Sequence, residues 1–353
     1  MSRVLLVSNH IFHYRIKVYN FFAKEFKNNG HDFMVISSSM DKVEFDVKFK
    51  NYILKNNILV YLKFIFSVKP DIIITFLHLS NIIYLPILIY CKVLNIKLII
   101  WSKSIDIKKP NNILKNFLFS IFHKLSDSII LYTPNELRYL NVKYHSKTFI
   151  GFNALSFEDV EKDKTIEAEN IKKKYNIVQE NIILFVATLN KKKGLDLIID
   201  APLSDDKICV VIVGSGITDD QLSKISNLNN YYYIGKLPFD DIALNELFRI
   251  TKVYISPMNI GLAINQSFFW GKPVVVLEGF HSVEIYYLRD GKNGYIAKNM
   301  GEFWSYVQKL VYDEEVYNSF KFNCIKTFNE EANIKKMFNG FLAAIEYVEK
   351  KYI

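Results

Sequence analysis

Residues 181–216 read NIILFVATLNKKKGLDLIIDAPLSDDKICVVIVGSG, and this stretch decides the fold. The apolar run at 181–188 predicts a strand that is buried on both faces. Lys193 and Gly194 then open a helix, and the run at 207–216 predicts a second strand that ends in glycines. A strand, a helix and a strand in this spacing predict a parallel βαβ unit.

The same alternation continues along the chain in both directions. Further apolar runs predict strands at 3–8, 33–38, 71–76, 97–102, 127–133, 231–235, 253–257 and 272–278. Helical stretches are predicted at 55–67, 82–94, 112–125 and 134–140. A polar segment, 158–174, separates two such series. We therefore expect an α/β fold of two doubly wound, Rossmann-like domains facing a cleft, with the strand carboxyl ends at that cleft.

The expected domains are 1–155, 156–330 and a final helix at 331–353 that packs back on the first domain. The length of 353 residues suits two domains, and a hydrophobic content of 50% excludes global disorder. Three widely spaced cysteines exclude a disulfide scaffold or zinc ribbon and fit a reducing compartment. The first residues do not resemble a signal peptide, so we expect a cytosolic start.

Charge is distributed unevenly along the chain. Residues 1–150 hold 21 basic and 9 acidic side chains, whereas residues 151–353 hold 24 basic and 27 acidic ones. A basic first half indicates a polyanionic partner, either nucleic acid or anionic lipid. Drift in an AT-rich genome, which overuses lysine codons, would also explain the lysine count, although it explains the asymmetry less well. No nucleic-acid-binding motif accompanies the charge, so we expect no nucleic acid partner. Lysines interrupt the apolar segment 81–101, which predicts a buried helix and strand rather than a membrane span.

Four segments of the second half carry a family resemblance: VATLNKKKGLDLIIDA (186–201), ICVVIVGSG (208–216), SPMNIGLAINQSFFWGKPVVV (256–276) and HSVEIYYLRDGKNGYI (281–296). In this order they resemble the donor domain of family-4 glycosyltransferases with the GT-B fold, of the kind found in bacterial surface polysaccharide synthesis. The first half resembles the acceptor domain of the same family in 8–22, 125–140 and 147–159, with Asn153 at the family's usual Asn.

A nucleotide sugar is a diphosphate, which favours helix N-termini, backbone N–H groups and a cation. Lys193 would supply the cation, and amides near Asn265 to Ser267 would face the distal phosphate. With the resemblance, this reasoning gives a set of donor-binding candidates: Thr188, Lys193, Gly194, Gly214, Gly216, Lys236, Leu237, Met258, Gly261, Leu262, Ser267 and Glu284. A solvated lysine and ordinary turn glycines are the alternative interpretation.

The sequence departs from the family pattern at four positions. A pair of glutamates common in the family corresponds to Met258 and Gln266, and a common arginine corresponds to Thr188. The family's histidine near the reacting sugar corresponds to Lys103. Gln266 keeps hydrogen bonding to a hydroxyl but lacks the charge that stabilises a cationic transition state.

The catalytic and acceptor-side candidates follow from position and from the resemblance. Lys103, Gln266 and His10 are the catalytic candidates, and His13, Tyr14 and Arg15 are the acceptor-side candidates. His78 follows a predicted strand and is expected to be structural. No His, Cys, Asp or Glu group has the spacing of metal ligands, so a metal-independent site without a cofactor is expected.

The resemblance implies a retaining hexosyltransferase that moves a sugar from a UDP- or GDP-type donor to a lipid-linked or polysaccharide acceptor. Its context would be O-antigen, lipopolysaccharide or capsule-type synthesis. Two alternatives stay open: a catalytically inactive GT-B binding partner in the same assembly, and a nucleotide-sugar epimerase. The basic first half, with aromatic residues in 51–69 and 108–124, predicts a peripheral protein on anionic lipid at the cytoplasmic face.

Overall fold

The computed structural model describes residues 1–76, 84–105, 111–162, 167–238 and 242–350. It divides the chain into two compact units, which we call unit 1 (Met1–Ser156 with Asn333–Ile353) and unit 2 (Phe157–Ala332). The dividing points lie beside the boundaries expected at residues 155 and 330. The assignment of the two units to acceptor and donor stays a prediction.

Fifteen strands lie in the described residues. They are β1 (Ser2–Val7), β2 (His10–Ile11), β3 (His31–Ser37), β4 (Ser39–Met40), β5 (Lys50–Ile53), β6 (Ile72–Phe76), β7 (Lys97–Ser102), β8 (Ser128–Leu131), β9 (Thr148–Ile150), β10 (Asn181–Val186), β11 (Ile208–Val213), β12 (Tyr231–Gly235), β13 (Thr251–Ser256), β14 (Val274–Leu277) and β15 (Gly294–Ala297).

Twelve α-helices lie in the same residues. They are α1 (His13–Asn28), α2 (Ile58–Val68), α3 (Tyr84–Val93), α4 (Ile113–Leu125), α5 (Ala168–Lys174), α6 (Leu195–Asp200), α7 (Asp219–Ser226), α8 (Ile242–Ile250), α9 (Ala263–Phe269), α10 (Met300–Tyr312), α11 (Glu314–Glu330) and α12 (Ile334–Lys350). Short 3₁₀ helices cover Pro134–Tyr139, Val142–Lys147 and Val283–Tyr287.

Unit 1 contains a parallel seven-stranded sheet in the order β5-β3-β1-β6-β7-β8-β9. The chain runs from β1 outward to β3 and β5, and then returns to build β6 to β9 on the other side. The order therefore reverses between β1 and β6, and ligands of open α/β sheets bind beside such a reversal, at the strand carboxyl ends. The residues that follow β1 include His10 and Arg15.

Both faces of this sheet are covered by helices. Phe22 and Phe26 of α1 lie four residues apart on one helix face, and they contact Phe341 and Phe338 of α12 at ring-centroid distances of 4.9 and 4.8 Å. A separate apolar cluster beneath α2, α3 and α4 fills the other face. The chain's last helix is therefore part of the unit 1 core.

Unit 2 contains a parallel six-stranded sheet in the order β12-β11-β10-β13-β14-β15. The strand order reverses between β10 and β13, so the loops after these two strands lie side by side. These loops carry Lys193 and Met258. Val210, Val253 and Phe303 belong to the buried cluster that joins the sheet to α10.

The structure refines two local predictions. Residues 134–140 were predicted to be helical, and Pro134–Tyr139 forms a 3₁₀ helix. Pro134 opens it, and the Glu136 carboxylate accepts the Thr133 N–H at 2.9 Å, which fixes a tight first turn.

The helix expected to be buried within segment 81–101 is buried along one face only. Ile87, Leu88 and Cys91 of α3 are buried, whereas Ile89 and Val93 are exposed, as in a helix that lies on a sheet. Among the described residues, no helix combines the length and the apolar character needed to cross a membrane.

Candidate functional site

The strongest cluster of predicted residues lies in unit 2, around Lys193. The Lys193 Nζ donates to the Asn259 carbonyl oxygen at 2.7 Å, which joins the loop after β10 to the loop after β13. Lys193 is half-buried, and burial lowers the pKa of its ammonium group, an effect that the nearby Glu284 opposes. A partly desolvated cation interacts more strongly with an anion than a solvated one does.

Glu284 completes this cluster. It is buried, and a Cβ built on Gly261 would lie 4.0 Å from its Oε2. Lys193, Gly261 and Glu284 were all predicted to bind the donor, and the structure brings the three together at the strand-order reversal of unit 2. In this cluster Lys193 supplies a cation and Glu284 a carboxylate. Gly261 has no side chain, so its backbone is open to a ligand.

Gly194 is required for the packing of this loop. Its φ of 76° lies in the left-handed region, and an added Cβ would lie 2.9 Å from Cγ of Met258. Met258, which the family resemblance aligns with a glutamate, therefore packs beside the Lys-Gly pair. Thr188 is exposed in the same loop.

Three supporting residues were missed by the sequence analysis. Ser282 donates to Asn259 Oδ1 at 3.0 Å, and His281 Nδ1 accepts the Ile260 N–H at 3.2 Å while its Nε2 donates to Leu277 O at 2.8 Å. Burial lowers the pKa of His281, so the neutral ring suits this pair of bonds. The sequence signal was available, because His281 and Ser282 lie three and two residues before the predicted Glu284.

The glycine turn after β11 is tightly packed. Gly214 has a φ of 153°, and a Cβ there would lie 1.8 Å from the carbonyl oxygen of Ala187. The Tyr233 hydroxyl donates to Gly214 O at 2.9 Å. Gly216 also has a positive φ, of 95°. These glycines allow the backbones after β10 and β11 to approach each other; contact with a nucleotide stays a prediction.

The residues of α9 differ from expectation in one respect. Amides near Asn265 to Ser267 were expected to face a phosphate, but α9 begins at Ala263 and the Asn265 N–H already donates to Leu262 O at 3.0 Å. The Ser267 hydroxyl is buried and donates to Lys272 O at 2.7 Å. Gly261 and Leu262 lead into α9 as predicted, and contact of its first amides with a phosphate stays a prediction.

Gln266 is 3% exposed, and its Nε2 is buried without a hydrogen-bond partner in the part of the chain that the structure describes. Burial of an amide donor without a partner is costly, so this side chain could donate to a ligand. Lys236 and Leu237 follow β12, exposed and half-buried respectively. Their proposed contact with a base stays a prediction.

In unit 1, both candidate histidines are hydrogen-bonded to Asp41, a residue that was not predicted to belong to the site. His10 donates from Nε2 to Asp41 Oδ1 at 2.9 Å, and its Nδ1 lies 2.7 Å from the Ser39 hydroxyl oxygen. His13 donates to Asp41 Oδ2 from Nδ1 at 3.1 Å and from its backbone N–H at 2.9 Å. Burial raises the pKa of Asp41, but the hydrogen bonds from His13 and His10 lower it more, so this carboxyl stays ionised.

The other unit 1 candidates lie near the same edge of the sheet. Arg15 is buried in the first turn of α1 and Tyr14 is half-buried beside it. Lys103 is half-buried directly after β7, and its carbonyl accepts the Ser102 hydroxyl. Lys103 is close to His123, whose pKa is lowered to about 4 by burial and by Lys147. His78 lies outside the described residues.

A cavity of about 440 Å³ lies at the opposite edge of the unit 1 sheet, where β1, β6 and β7 begin. Its lining includes Arg3, Lys69, Asp71 and Lys97. It is remote in the fold from the residues that follow β1 and contains none of the predicted site residues. Within the described part of the chain, no group of three or more His, Cys, Asp and Glu residues could hold a metal ion.

The fold of the whole chain is that of GT-B proteins. HepE from Anabaena, solved with UDP and glucose, has a TM-score of 0.76 and 11% identity over 98% of this chain and all of that one. A glycosyltransferase from Rickettsia africae has a TM-score of 0.77 and 16% identity over 99% of each chain. WaaG, a glycosyltransferase of lipopolysaccharide biosynthesis, has a TM-score of 0.67 and 13% identity over 97% of this chain and 98% of its own.

The sequence adds a more specific result for unit 2. Residues 167–327 match the family model described as glycosyl transferases group 1. The matched segment contains Lys193, Gly261 and Glu284. No curated protein sequence matches the chain. The expected two Rossmann-like domains of parallel strands are confirmed as a GT-B fold.

Proposed function

We propose that the protein is a glycosyltransferase that moves a sugar from a nucleotide-diphosphate sugar to a lipid-linked or polysaccharide acceptor. The observation that carries the proposal is the cluster of Lys193, Gly261 and Glu284 at the strand-order reversal of unit 2, inside the segment that matches group 1 glycosyl transferases. The UDP bound by HepE makes UDP the first donor to test, with GDP as the alternative.

The chemistry expected of unit 2 is stabilisation of the departing diphosphate. Lys193 is held in place by Asn259 and carries a partly desolvated positive charge, so it can neutralise charge that develops on the phosphate oxygen. Glu284 is suited to accept hydrogen bonds from ribose or sugar hydroxyls. Gln266 can donate its unpartnered N–H to a sugar oxygen.

The acceptor side of the proposal rests on unit 1. His10 is oriented by the bond from its Nε2 to Asp41, and its Nδ1 would exchange the Ser39 hydroxyl for an acceptor hydroxyl. Lys103 would place a positive charge near the reacting groups. We propose retention of the anomeric configuration, no metal requirement and a role in O-antigen or capsule-type polysaccharide synthesis. The likeness to WaaG supports the last point.

The direct test is calorimetric titration with UDP and GDP, followed by NMR analysis of products formed from the matching nucleotide sugars with membrane-extracted acceptors. The proposal predicts binding of one nucleoside diphosphate and a new glycosidic bond. Failure of both nucleotides to bind a folded protein would exclude the function.

A second candidate is a GT-B protein that binds without catalysis. It is favoured by Met258, Gln266 and Thr188, which stand at positions where the family resemblance expects charged residues. Nucleotide binding without either transfer or donor hydrolysis would identify this second function. An epimerised donor would identify the epimerase alternative.

We further propose that unit 1 docks peripherally on the cytoplasmic face of a membrane. On α4, Ile113, Leu114 and Phe117 are 85%, 70% and 60% exposed, and the exposed Lys115 lies among them. Exposed apolar side chains next to basic ones fit a surface of anionic lipid. Lys108 and Lys109, which belong to the same predicted segment, lie outside the described residues.

Cosedimentation with vesicles tests this docking. Wild-type protein should pellet with vesicles that contain anionic lipid, less so at high salt, and Phe117→Asp should reduce the bound fraction. Phe322→Asp is the matched control, because Phe322 is 68% exposed on α11 of unit 2. Lys108, Lys109 and Lys115 changed together to Glu should also reduce binding. Equal recovery with neutral and anionic vesicles at low salt would exclude docking on anionic lipid.

A further inference from the structure

The side chain of Arg15 is buried in unit 1, and no acidic residue in the described part of the chain pairs with it. It lies in the first turn of α1, is 7% exposed, and donates from Nη2 to Asn153 Oδ1 at 2.8 Å. Its guanidinium carbon lies 4.9 Å from the ring centroid of Trp101 and 5.5 Å from that of Tyr14. Its neighbours therefore include an amide oxygen and two aromatic rings, and the buried Tyr19 is close enough for its pKa to be affected by Arg15.

These contacts leave part of the guanidinium unsatisfied. Among the described residues, Arg15 Nη1 is buried and has no hydrogen-bond partner, and the same holds for Nε1 of the adjacent Trp101. Arg15 forms no ion pair with any described residue. The carboxylate of Asp41 accepts the His13 N–H at the start of α1 and there offsets the helix dipole, but it makes no ion pair with Arg15. Burial of a permanent charge in such surroundings costs stability unless an anion compensates it.

The position of this charge points to a ligand rather than to the core. Arg15 follows β1 at the strand-order reversal of unit 1, Trp101 lies near the carboxyl end of β7, and Asn153 follows β9. All three come from the edge of a parallel sheet where ligands bind. The guanidinium fork matches the geometry of phosphate and carboxylate groups.

We infer that Arg15 binds an oxyanion, a phosphate or carboxylate group, carried by the acceptor substrate. Nη1 of Arg15 donates to the oxyanion and the neighbouring Trp101 Nε1 supplies a second donor. Tyr14 stacks on the exposed Phe12 at 5.5 Å and covers the guanidinium, so it must turn aside for the group to enter. The inference rests on the proposed function, since it assigns a chemical class to the acceptor.

Thermal unfolding of full-length protein with saturating UDP tests this inference, because UDP fills the diphosphate site of unit 2. Added inorganic phosphate, pyrophosphate or acetate should raise the unfolding midpoint of the wild type. Phosphate and acetate compare the two oxyanion classes, and pyrophosphate tests the diphosphate of a lipid carrier. The Arg15→Met variant should show no such rise, with a dissociation constant weakened at least about tenfold.

Arg138→Met is the matched control. Arg138 is exposed in unit 1 and its guanidinium carbon lies 4.7 Å from the Tyr139 ring centroid, so it also stacks on an aromatic ring. It should respond to the anions as the wild type does. Without anions, Arg15→Met should unfold within about 2 °C of the wild type or above it, since the variant removes an uncompensated buried charge.

Three results would overturn the inference. The first is a wild-type unfolding midpoint that does not rise with added anion, and the second is a rise that persists in Arg15→Met. The third is a much lower unfolding midpoint of Arg15→Met without anions, which would make the arginine structural. If Arg15→Met does not fold, Arg15→Lys keeps the charge without the fork and must show weakened anion binding. UDP binding is measured for the wild type and for every variant. If the wild type does not bind UDP, that result counts against the proposed function and not against the anion site.

Discussion

Replacement of Lys193 by Met is the most informative perturbation of unit 2. The ammonium group is anchored on Asn259 O at 2.7 Å and faces Glu284, so it is positioned before a diphosphate arrives. A hydrogen bond to a charged group contributes about 1.5–3 kcal/mol. Because Lys193 remains partly solvated, we expect the lower part of that range, about 1.5–2 kcal/mol, or a roughly 10- to 30-fold weaker affinity for UDP.

Calorimetric titration of UDP measures this loss, and two variants separate its causes. Lys192→Met removes an exposed lysine from the same run and should change affinity less than about twofold. Ser282→Ala removes the other side-chain bond to Asn259 and keeps the cation, so it reports what loosening of the loop contributes.

The same titration has an expected pH dependence. Burial lowers the pKa of Lys193, so the free protein loses this charge at a lower pH than an exposed lysine does. UDP affinity should therefore fall as the pH rises into the alkaline range in the wild type, and less steeply in Lys193→Met. An unchanged UDP affinity in folded Lys193→Met, or an equal loss in Lys192→Met, would refute the assignment.

Three further outcomes are expected. Burial lowers the pKa of Lys272 to about 7 in the folded protein. Because the unfolded state keeps this proton up to a higher pH, the free energy of unfolding should rise between about pH 7 and about pH 10.4. Urea titrations of Lys272→Met at several pH values should lack that rise. Gly214→Ala should destabilise the protein by about 3 kcal/mol or more, whereas Gly279→Ala, with a similar φ of 148° but nothing within 4 Å, should cost less. Asp41→Ala should lower kcat of sugar transfer about tenfold with little change in UDP affinity, because it frees the His10 ring; equal loss of kcat and affinity would contradict that role.

Most of the fold was predictable because its strands are continuous apolar runs. The runs at 181–188, 207–216 and 253–257 are strands buried on both faces, and such runs have few alternative structures in an alternating α/β chain. Short edge strands such as β5 and β15 were not predicted, since four residues with mixed burial give no clear periodicity.

The unit 2 site was predicted as separate residues but not as a contact network. Lys193 and Glu284 lie far apart in the sequence, and only the order of β10, β13 and β14 in the sheet brings their loops together. Asp41 was missed for a related reason. It lies in a polar segment without a motif, and its partners become apparent only when β2 pairs with β4.

The return of α12 to unit 1 has a consequence for synthesis of the chain. Gly340 lies so close to β9 that a Cβ would fall 2.0 Å from the carbonyl oxygen of Ile150, and Phe338 and Phe341 fill one face of the unit 1 sheet. A fragment that stops at residue 156 would expose this apolar face. On the ribosome, unit 2 is contiguous in the sequence and can close its core first. Unit 1, although most of it is translated first, must wait for α12 before its core is complete, and its uncovered sheet is the surface that chaperones would have to protect.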